Sequence, residues 1–170
     1  MELSKAILTR RSIRSFLPGK VSQEDIKEIL TAAMHAPSAR NTRPWDFIVV
    51  QDGETIKKIN KIMNMRQFET ADTVIITVGI PQRQAGLCEG NTISDCAAAT
   101  ENLILRAWDL DISSVWCGIQ AVPDKVKAFR ALFGLPEDVI PFCAVALGKQ
   151  GEDPECKGFY DESLVHWEKW

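Results

Sequence analysis

The chain has 170 residues, 45% of them hydrophobic and 25% charged, and a formal net charge of -3. That length suits one domain with a sizeable core, and the composition is ordinary for a globular protein. The slight acidity argues against a nucleic-acid partner, and the most apolar run, Val74 to Ile80 before Pro81, is far too short to span a bilayer.

The amino end holds Glu2, Lys5, Arg10 and Arg11 without a long apolar run. No signal peptide is expected there, and the expected location is cytoplasmic. Ser22 precedes Glu24 and Asp25, as an N-cap with acidic residues in the first turn. Ile26, Ile29, Leu30, Ala33 and Met34 then form one helical stripe, which Pro37 ends. Phe47 to Val50 reads as a short strand. Ile56, Ile59, Ile62 and Met63 mark a second amphipathic helix. Thr73 to Gly79 is apolar and β-branched throughout, as a strand covered on both faces must be.

Asn91 to Leu110 reads as the longest helix. Its run Cys96-Ala97-Ala98-Ala99 fits close approach by other helices or a second subunit, or plain helix propensity. Ser113 to Trp116 reads as a strand, Asp124 to Phe133 as a helix closed by Gly134, and Ile140 to Leu147 as a last buried strand. Residues 151–170 change character and end in Trp167 and Trp170. Two terminal tryptophans are expected to dock, for example on a partner subunit. No repeat or linker divides the chain, so residues 1–170 read as one domain with a C-terminal extension.

The five cysteines, Cys88, Cys96, Cys117, Cys143 and Cys156, form no C-x-x-C pair. Reduced thiols are the simple reading, rather than a disulfide framework or a zinc knuckle. With only His35 and His166, a Ser-His-Asp machine or a histidine-rich metal site has little to build with, and no metal is expected.

Arg10-Arg11-Ser12-Ile13-Arg14 gathers three guanidinium groups and a hydroxyl within five residues. Guanidinium forks match phosphate oxygens in pairs. On its own the segment reads equally as a solvated basic turn. A polar loop follows, Ala36-Pro37-Ser38-Ala39-Arg40-Asn41-Thr42-Arg43-Pro44-Trp45. Together the two suggest a phosphorylated planar cofactor. Neither G-x-G-x-x-G nor the P-loop pattern is present, so a phosphate here would be held by side chains rather than by a glycine cradle. Lys149 is a further cation, or an ordinary strand-end lysine. Asn41 offers a donor and an acceptor to a heterocycle edge, although Pro, Ser and Asn also suit a turn that stops a helix. Gly118 after Cys117 would let backbone amides approach a ligand. A nucleophilic Cys117 is disfavoured because no base lies near it in sequence.

These residues resemble the nitroreductase family of flavin enzymes. Arg10 to Arg14 matches the family's opening motif, and Ala36-Pro37-Ser38 with Asn41 and Pro44-Trp45 matches its second. The alanine-rich helix, Ser114 to Gly118, Gly134-Leu135-Pro136 and Gly148-Lys149 follow in the family's order. The resemblance implies an α+β, three-layer α-β-α fold, with a mostly antiparallel central sheet flanked by helices in an interlocked homodimer. It implies FMN at the subunit interface. Arg10, Arg11, Ser12, Arg14 and Lys149 would hold the phosphate and ribityl chain. Pro37, Ser38 and Asn41 would come from the other subunit. Backbone near Cys117 and Gly118 would approach the flavin, and Asn64 and Gln67 would meet the ring's polar edge. NADH or NADPH would then reduce the flavin in a ping-pong cycle, and a nitroaromatic, quinone or similar small acceptor would reoxidise it. No side chain is required as acid or base. Reductive dehalogenation, flavin fragmentation, a non-catalytic flavin sensor and a dimeric scaffold are the rival readings. Arg43 stands where the family usually has Gln. Residues 83–92 are the expected lid, with Gln84, Gly86 and Gly90 permitting its motion.

Overall fold

Strand β5 (Ile140–Gln150) is the spine of the sheet: it pairs antiparallel with β1 (Phe16–Leu17), β3 (Thr73–Gly79) and β4 (Ser113–Gly118). Strand β2 (Trp45–Val50) extends the sheet antiparallel to β3. The computed structural model describes residues 2–153, 155 and 158–170; Pro154 and the expected reduced thiol Cys156 lie outside the described residues.

Among the described residues six α-helices flank the sheet: α1 (Leu3–Thr9), α2 (Gln23–Met34), α3 (Gly53–Met63), α4 (Gln67–Thr70), α5 (Thr92–Asp109) and α6 (Pro123–Phe133). On one face α2 and α5 bury Ile29, Ala33, Ala99 and Leu103 against Ile75 and Val145 of the sheet. On the other, α3 and α6 bury Ile59 and Phe129 against Val74, Ile76 and Ala144. The three-layer α+β architecture follows from strands apolar on both faces: β3 is buried along its whole length, and β5 is buried from Pro141 to Gly148.

The caps work as their chemistry requires. Ser22 Oγ accepts the Asp25 N–H at 3.0 Å, and Asp52 caps α3 through the Thr55 N–H at 2.8 Å. Gly134 takes φ 62 after α6, where a residue without Cβ suffers no clash. Elements with little sequence signal also appear, namely α1, the two-residue β1 and the four-residue α4. Each is too short to show a period, and tertiary contact supports it instead.

A register shift interrupts the β3–β5 ladder. Thr77 faces Cys143 and Val78 faces Pro141, so Phe142 is the extra residue. Pro141 has no N–H to give the ladder, and a bulge is where a sheet tolerates that loss. The Phe142 carbonyl turns to accept the N–H groups of Ile119 and Gln120, both at 3.1 Å. This fixes the chain just past Gly118.

Cys96 and Cys143 lie fully buried, and burial pushes both thiols up to about 12. Cys88, Cys96, Cys117 and Cys143 are free thiols. Among the described residues, no helix is long and apolar enough to cross a membrane.

Gly148 sits where β5 passes beneath Phe16, and a Cβ built there would come within 2.9 Å of the Phe16 ring. Gly148→Ala is therefore expected to destabilise the fold by about 1–3 kcal/mol through overpacking, read as a lower urea midpoint with an unchanged slope. An unshifted midpoint would show that Phe16 moves aside freely.

Candidate functional site

The basic segment is fastened by its one apolar member. Ile13 is fully buried, and its N–H donates to the Ser114 carbonyl at 3.0 Å. Ser12 bridges to Ser114 on β4. Burial of Ile13 thus brings Ser12 and Arg14 onto the sheet, at the β4 end of the molecule.

The arginines are not equally committed. Arg10 lies 3.6 Å from the Glu101 carboxylate. The Arg11 guanidinium rests on the backbone carbonyls of Leu8, Arg10 and Glu155. That of Arg14 reaches the Ser12 carbonyl at 3.4 Å. Among the described residues, neither the Arg11 nor the Arg14 guanidinium pairs with a carboxylate. The Arg14 backbone N–H donates to the Glu152 carboxylate, which also pairs with Arg66 at 3.2 Å. Lys149 faces Leu17 across the β1–β5 ladder, and its stem lies over Gly19.

At the far end of β4 stand Cys117 and Gly118. Gln67 is buried, and its amide donates to Cys117 Sγ at 3.0 Å. Burial pushes the Cys117 thiol up; the Gln67 amide and the positive charges of Arg14 and Lys125 oppose that rise. Gln67 therefore stands behind Cys117. Asn64 closes α3 in the left-handed conformation, φ 51, and is exposed. Gly118 is exposed, with nothing within 4 Å of where a Cβ would point. From Ser114 to Gly118 is about 13 Å of extended strand, which suits an elongated ligand gripped at both ends. Ser114 Oγ is buried without a hydrogen-bond partner among the described residues.

The loop from Pro37 to Arg43 is anchored through a different set of contacts. Arg40, Asn41 and Arg43 all have positive φ, at 50°, 56° and 48°. Such backbone is strained for residues with a Cβ and persists only where its surroundings impose it. Asp95, buried in the first turn of α5, imposes it here. Both its carboxylate oxygens accept the Ala39 N–H, at 3.2 and 3.1 Å, and one accepts the Gln84 amide at 2.7 Å. Gln84 also donates to Thr42 Oγ1 and accepts from Thr92 Oγ1. Ser38 Oγ accepts the Arg43 N–H, and Asn41 Oδ1 accepts Arg43 Nε.

Gln84 corrects one expectation. It is buried and holds three side-chain hydrogen bonds, so it anchors the segment it was expected to free. Gly86 and Gly90, at φ 71 and 91, take the turns beyond it. In sequence, Asp95 reads only as a first-turn acid and Gln84 as a loop residue. Nothing local signals their pairing across eleven positions.

Within one chain the structure thus gathers Ser12, Arg14, Gln67, Cys117 and Gly118 along β4, with Lys149 on the neighbouring ladder. It holds Pro37, Ser38 and Asn41 through Asp95 and Arg43 instead.

The Nitroreductase family model matches residues 7–77 and 89–149. An Archaeoglobus fulgidus protein named "Putative NADH dehydrogenase/NAD(P)H nitroreductase" is 39% identical over 172 residues, covering 99% of each chain. The solved structure of a "Putative NADH Oxidase" from Clostridium acetobutylicum superposes with a TM-score of 0.90 at 34% identity, over 97% of this chain and 99% of that one. An "FMN-dependent Nitroreductase" from Clostridium difficile R20291 shares the fold at a TM-score of 0.88 and 23% identity, over 98% of this chain and 99% of that one. The chain belongs to the Nitroreductase family.

Asp95→Ala would leave the Ala39 N–H and the Gln84 amide without their acceptor. A loss of about 2–3 kcal/mol is expected, together with faster hydrogen exchange at Ala39 and Thr42. Unchanged exchange would mean that the loop holds its shape without the carboxylate. Cys117, buried and neutral, is expected to resist iodoacetamide in native protein at neutral pH and to react once urea unfolds the chain. Rapid native labelling would show that Gln67 and Arg14 outweigh burial.

Proposed function

We propose that the protein is an FMN-dependent oxidoreductase that uses NADH or NADPH to reduce an electron-poor small molecule, such as a nitroaromatic or a quinone. The observation that carries this reading is the Arg14 guanidinium, which among the described residues meets only the Ser12 carbonyl, on a segment bridged to β4 whose far end opens at Gly118; beside it the Arg11 guanidinium pairs with no carboxylate. Family membership and an NAD(P)H nitroreductase name on a full-length relative support it.

The residues present fit such a ligand. Among the described residues the Arg14 guanidinium meets only the Ser12 carbonyl and can form paired hydrogen bonds to phosphate, while the Arg11 guanidinium, engaged with backbone carbonyls, adds positive charge that no carboxylate cancels. Arg10, Arg11 and Ser12, with Arg14 and Lys149, would hold the phosphate and ribityl end. Space above the Gly118 backbone lets a flat ring approach main-chain amides, with Asn64 at the ring's polar edge and Gln67 fixing Cys117 beneath it. When bound, FMN supplies the hydride chemistry, taking two electrons from the nicotinamide and yielding them to the acceptor. The cations and backbone donors favour the more negative, reduced form and keep it oriented. No side chain of this site has to gain or lose a proton for that task.

Pro37, Ser38 and Asn41 complete the site from the second copy of the chain. In support of the dimer, Leu3, Ile7 and Leu8 on α1 and Phe159, Tyr160, Trp167 and Trp170 near the C-terminus are all exposed in the single chain. That much open apolar surface marks an interaction face.

Purified protein is expected to be yellow, to bleach with NADH and to consume NADH steadily when an acceptor is added. Reversible bleaching without turnover would mark a flavin-binding sensor instead. Arg14→Ala is expected to weaken FMN binding about tenfold or more, measured by equilibrium dialysis. Full retention of the flavin would refute the clamp.

A further inference from the structure

The end of α2 and the strained loop enclose a cleft of about 450 Å³, bordered by Met34, His35, Pro37, Asn41 and Arg43. A second hollow of about 440 Å³ adjoins it, sharing Met34 and Arg43 and reaching Phe47, Asp46 and Arg83. Arg43 stands between the two.

The charges there do not balance. Asp46 is the acid of this region, and Arg83 takes it at 2.8 Å while also donating to the carbonyls of Arg43 and Trp45. Arg43 gives its Nε–H to Asn41 at 3.1 Å. That bond turns one edge of the guanidinium to the loop and leaves its terminal amino groups uncommitted. Arg40 is exposed on the same turn. Among the described residues neither Arg40 nor Arg43 meets a carboxylate, so the turn carries two unneutralised cations, of which Arg43 borders the cleft.

The backbone adds an independent observation. Arg40 and Arg43 occupy left-handed positions, φ 50 and 48, where an arginine has no intrinsic advantage and asparagine or glycine fits better. The buried Asp95–Gln84–Thr92 network holds the turn in that shape. A rigid, strained turn that keeps the Arg43 side chain beside a cavity is an arrangement suited to a ligand.

We infer that this cleft binds an anionic group on a substrate, a carboxylate, sulfonate or phosphate, through Arg43, with the exposed Arg40 of the same turn adding positive charge nearby. The inference rests on the proposed flavin reading in one respect: Pro37 and Asn41 line the cleft and also border the flavin, so a molecule held here has its reducible part beside the ring. The anion has two possible sources, an acidic electron acceptor or the 2'-phosphate of NADPH. Neutral acceptors lack the acidic group, and NADH lacks the 2'-phosphate, that the cleft would engage.

The test is calorimetric titration of the purified holoprotein with four probes: 4-nitrobenzoate, its neutral isostere 4-nitrobenzamide, adenosine 2',5'-bisphosphate and adenosine 5'-monophosphate. The variants are Arg43→Asn and Arg40→Asn, which tolerate the left-handed backbone, and Arg43→Lys, which keeps the charge. The favoured anion is expected to bind Arg43→Asn about tenfold more weakly than wild type, a loss typical of one charged hydrogen bond. Arg43→Lys restores much of the affinity, added salt weakens it, and the member of the pair that lacks the carboxylate or the 2'-phosphate is unmoved. An effect on nitrobenzoate assigns the cleft to the acceptor; an effect on the bisphosphate assigns it to NADPH. The matching ratio of kcat/KM, nitrobenzoate over nitrobenzamide or NADPH over NADH, falls with it. Anion affinities indifferent to both arginines, or a wild type that binds neither anion, overturn the inference. So does an equal loss for the paired probe without the carboxylate or 2'-phosphate, which would report a collapsed loop. Flavin content and bleaching by NADH are read separately. Yellow, reducible protein with indifferent anion binding sinks only the cleft; arginine-dependent anion binding in colourless protein sinks only the flavin reading.

Discussion

One strand organises this molecule. β5 hydrogen-bonds to three other strands and is buried from Pro141 to Gly148. Each end of it sets one part of the site. At its start, Pro141 forces the bulge at Phe142, whose carbonyl secures the chain leaving Gly118. At its end, Gly148 lets Phe16 close over the sheet, so β1 can pair with Lys149 and bring the basic segment alongside. The site needs no dedicated scaffold, because the covalent peculiarities of two residues in the spine place it.

The parts of this design that show in sequence are those that repeat a local rule. The stripe of α2, the wholly apolar β3, the Ser22 cap and the Gly134 stop each show in a window of a few residues, and each appears within a residue or two of its expected bounds. Strands β2, β4 and β5 run two or three residues beyond their apolar kernels. Ladder hydrogen bonds continue past the point where side chains need burial. α1, β1 and α4 have too few residues to display a period.

The site shows the same division. Arg10 to Arg14 and Pro37 to Trp45 stand out because unusual residue types crowd together. The Gln67–Cys117 contact and the Gln84–Asp95 contact are legible only in three dimensions. Both join an amide to a group far along the chain, and an amide carries no local signature. Gln84 shows the consequence. A polar residue in a glycine-bearing loop reads as a mobile element, yet burial and three hydrogen bonds make it the post on which the loop is tied.

The strain in that loop bears on how the molecule divides its labour. Three departures into left-handed backbone within four residues, at Arg40, Asn41 and Arg43, cost on the order of a few kcal/mol together. An isolated surface turn has no reason to keep such a shape, since any relaxed turn would join α2 to β2 equally well. A buried carboxylate taking a backbone N–H and an amide supplies a stabilisation of comparable size. The loop is therefore held by the α5 helix beneath it, independently of what binds above it. That independence matters if the loop serves the partner's site. A surface that must meet a ligand across a subunit boundary works best when its geometry is settled before the subunits meet, because ordering it on assembly would subtract from the binding energy. The basic segment is settled in the same way by the burial of Ile13. In the proposed dimer, two halves, each made rigid by its own core, would need only to be brought together, and the exposed apolar residues of α1 and the C-terminal segment would offer the means.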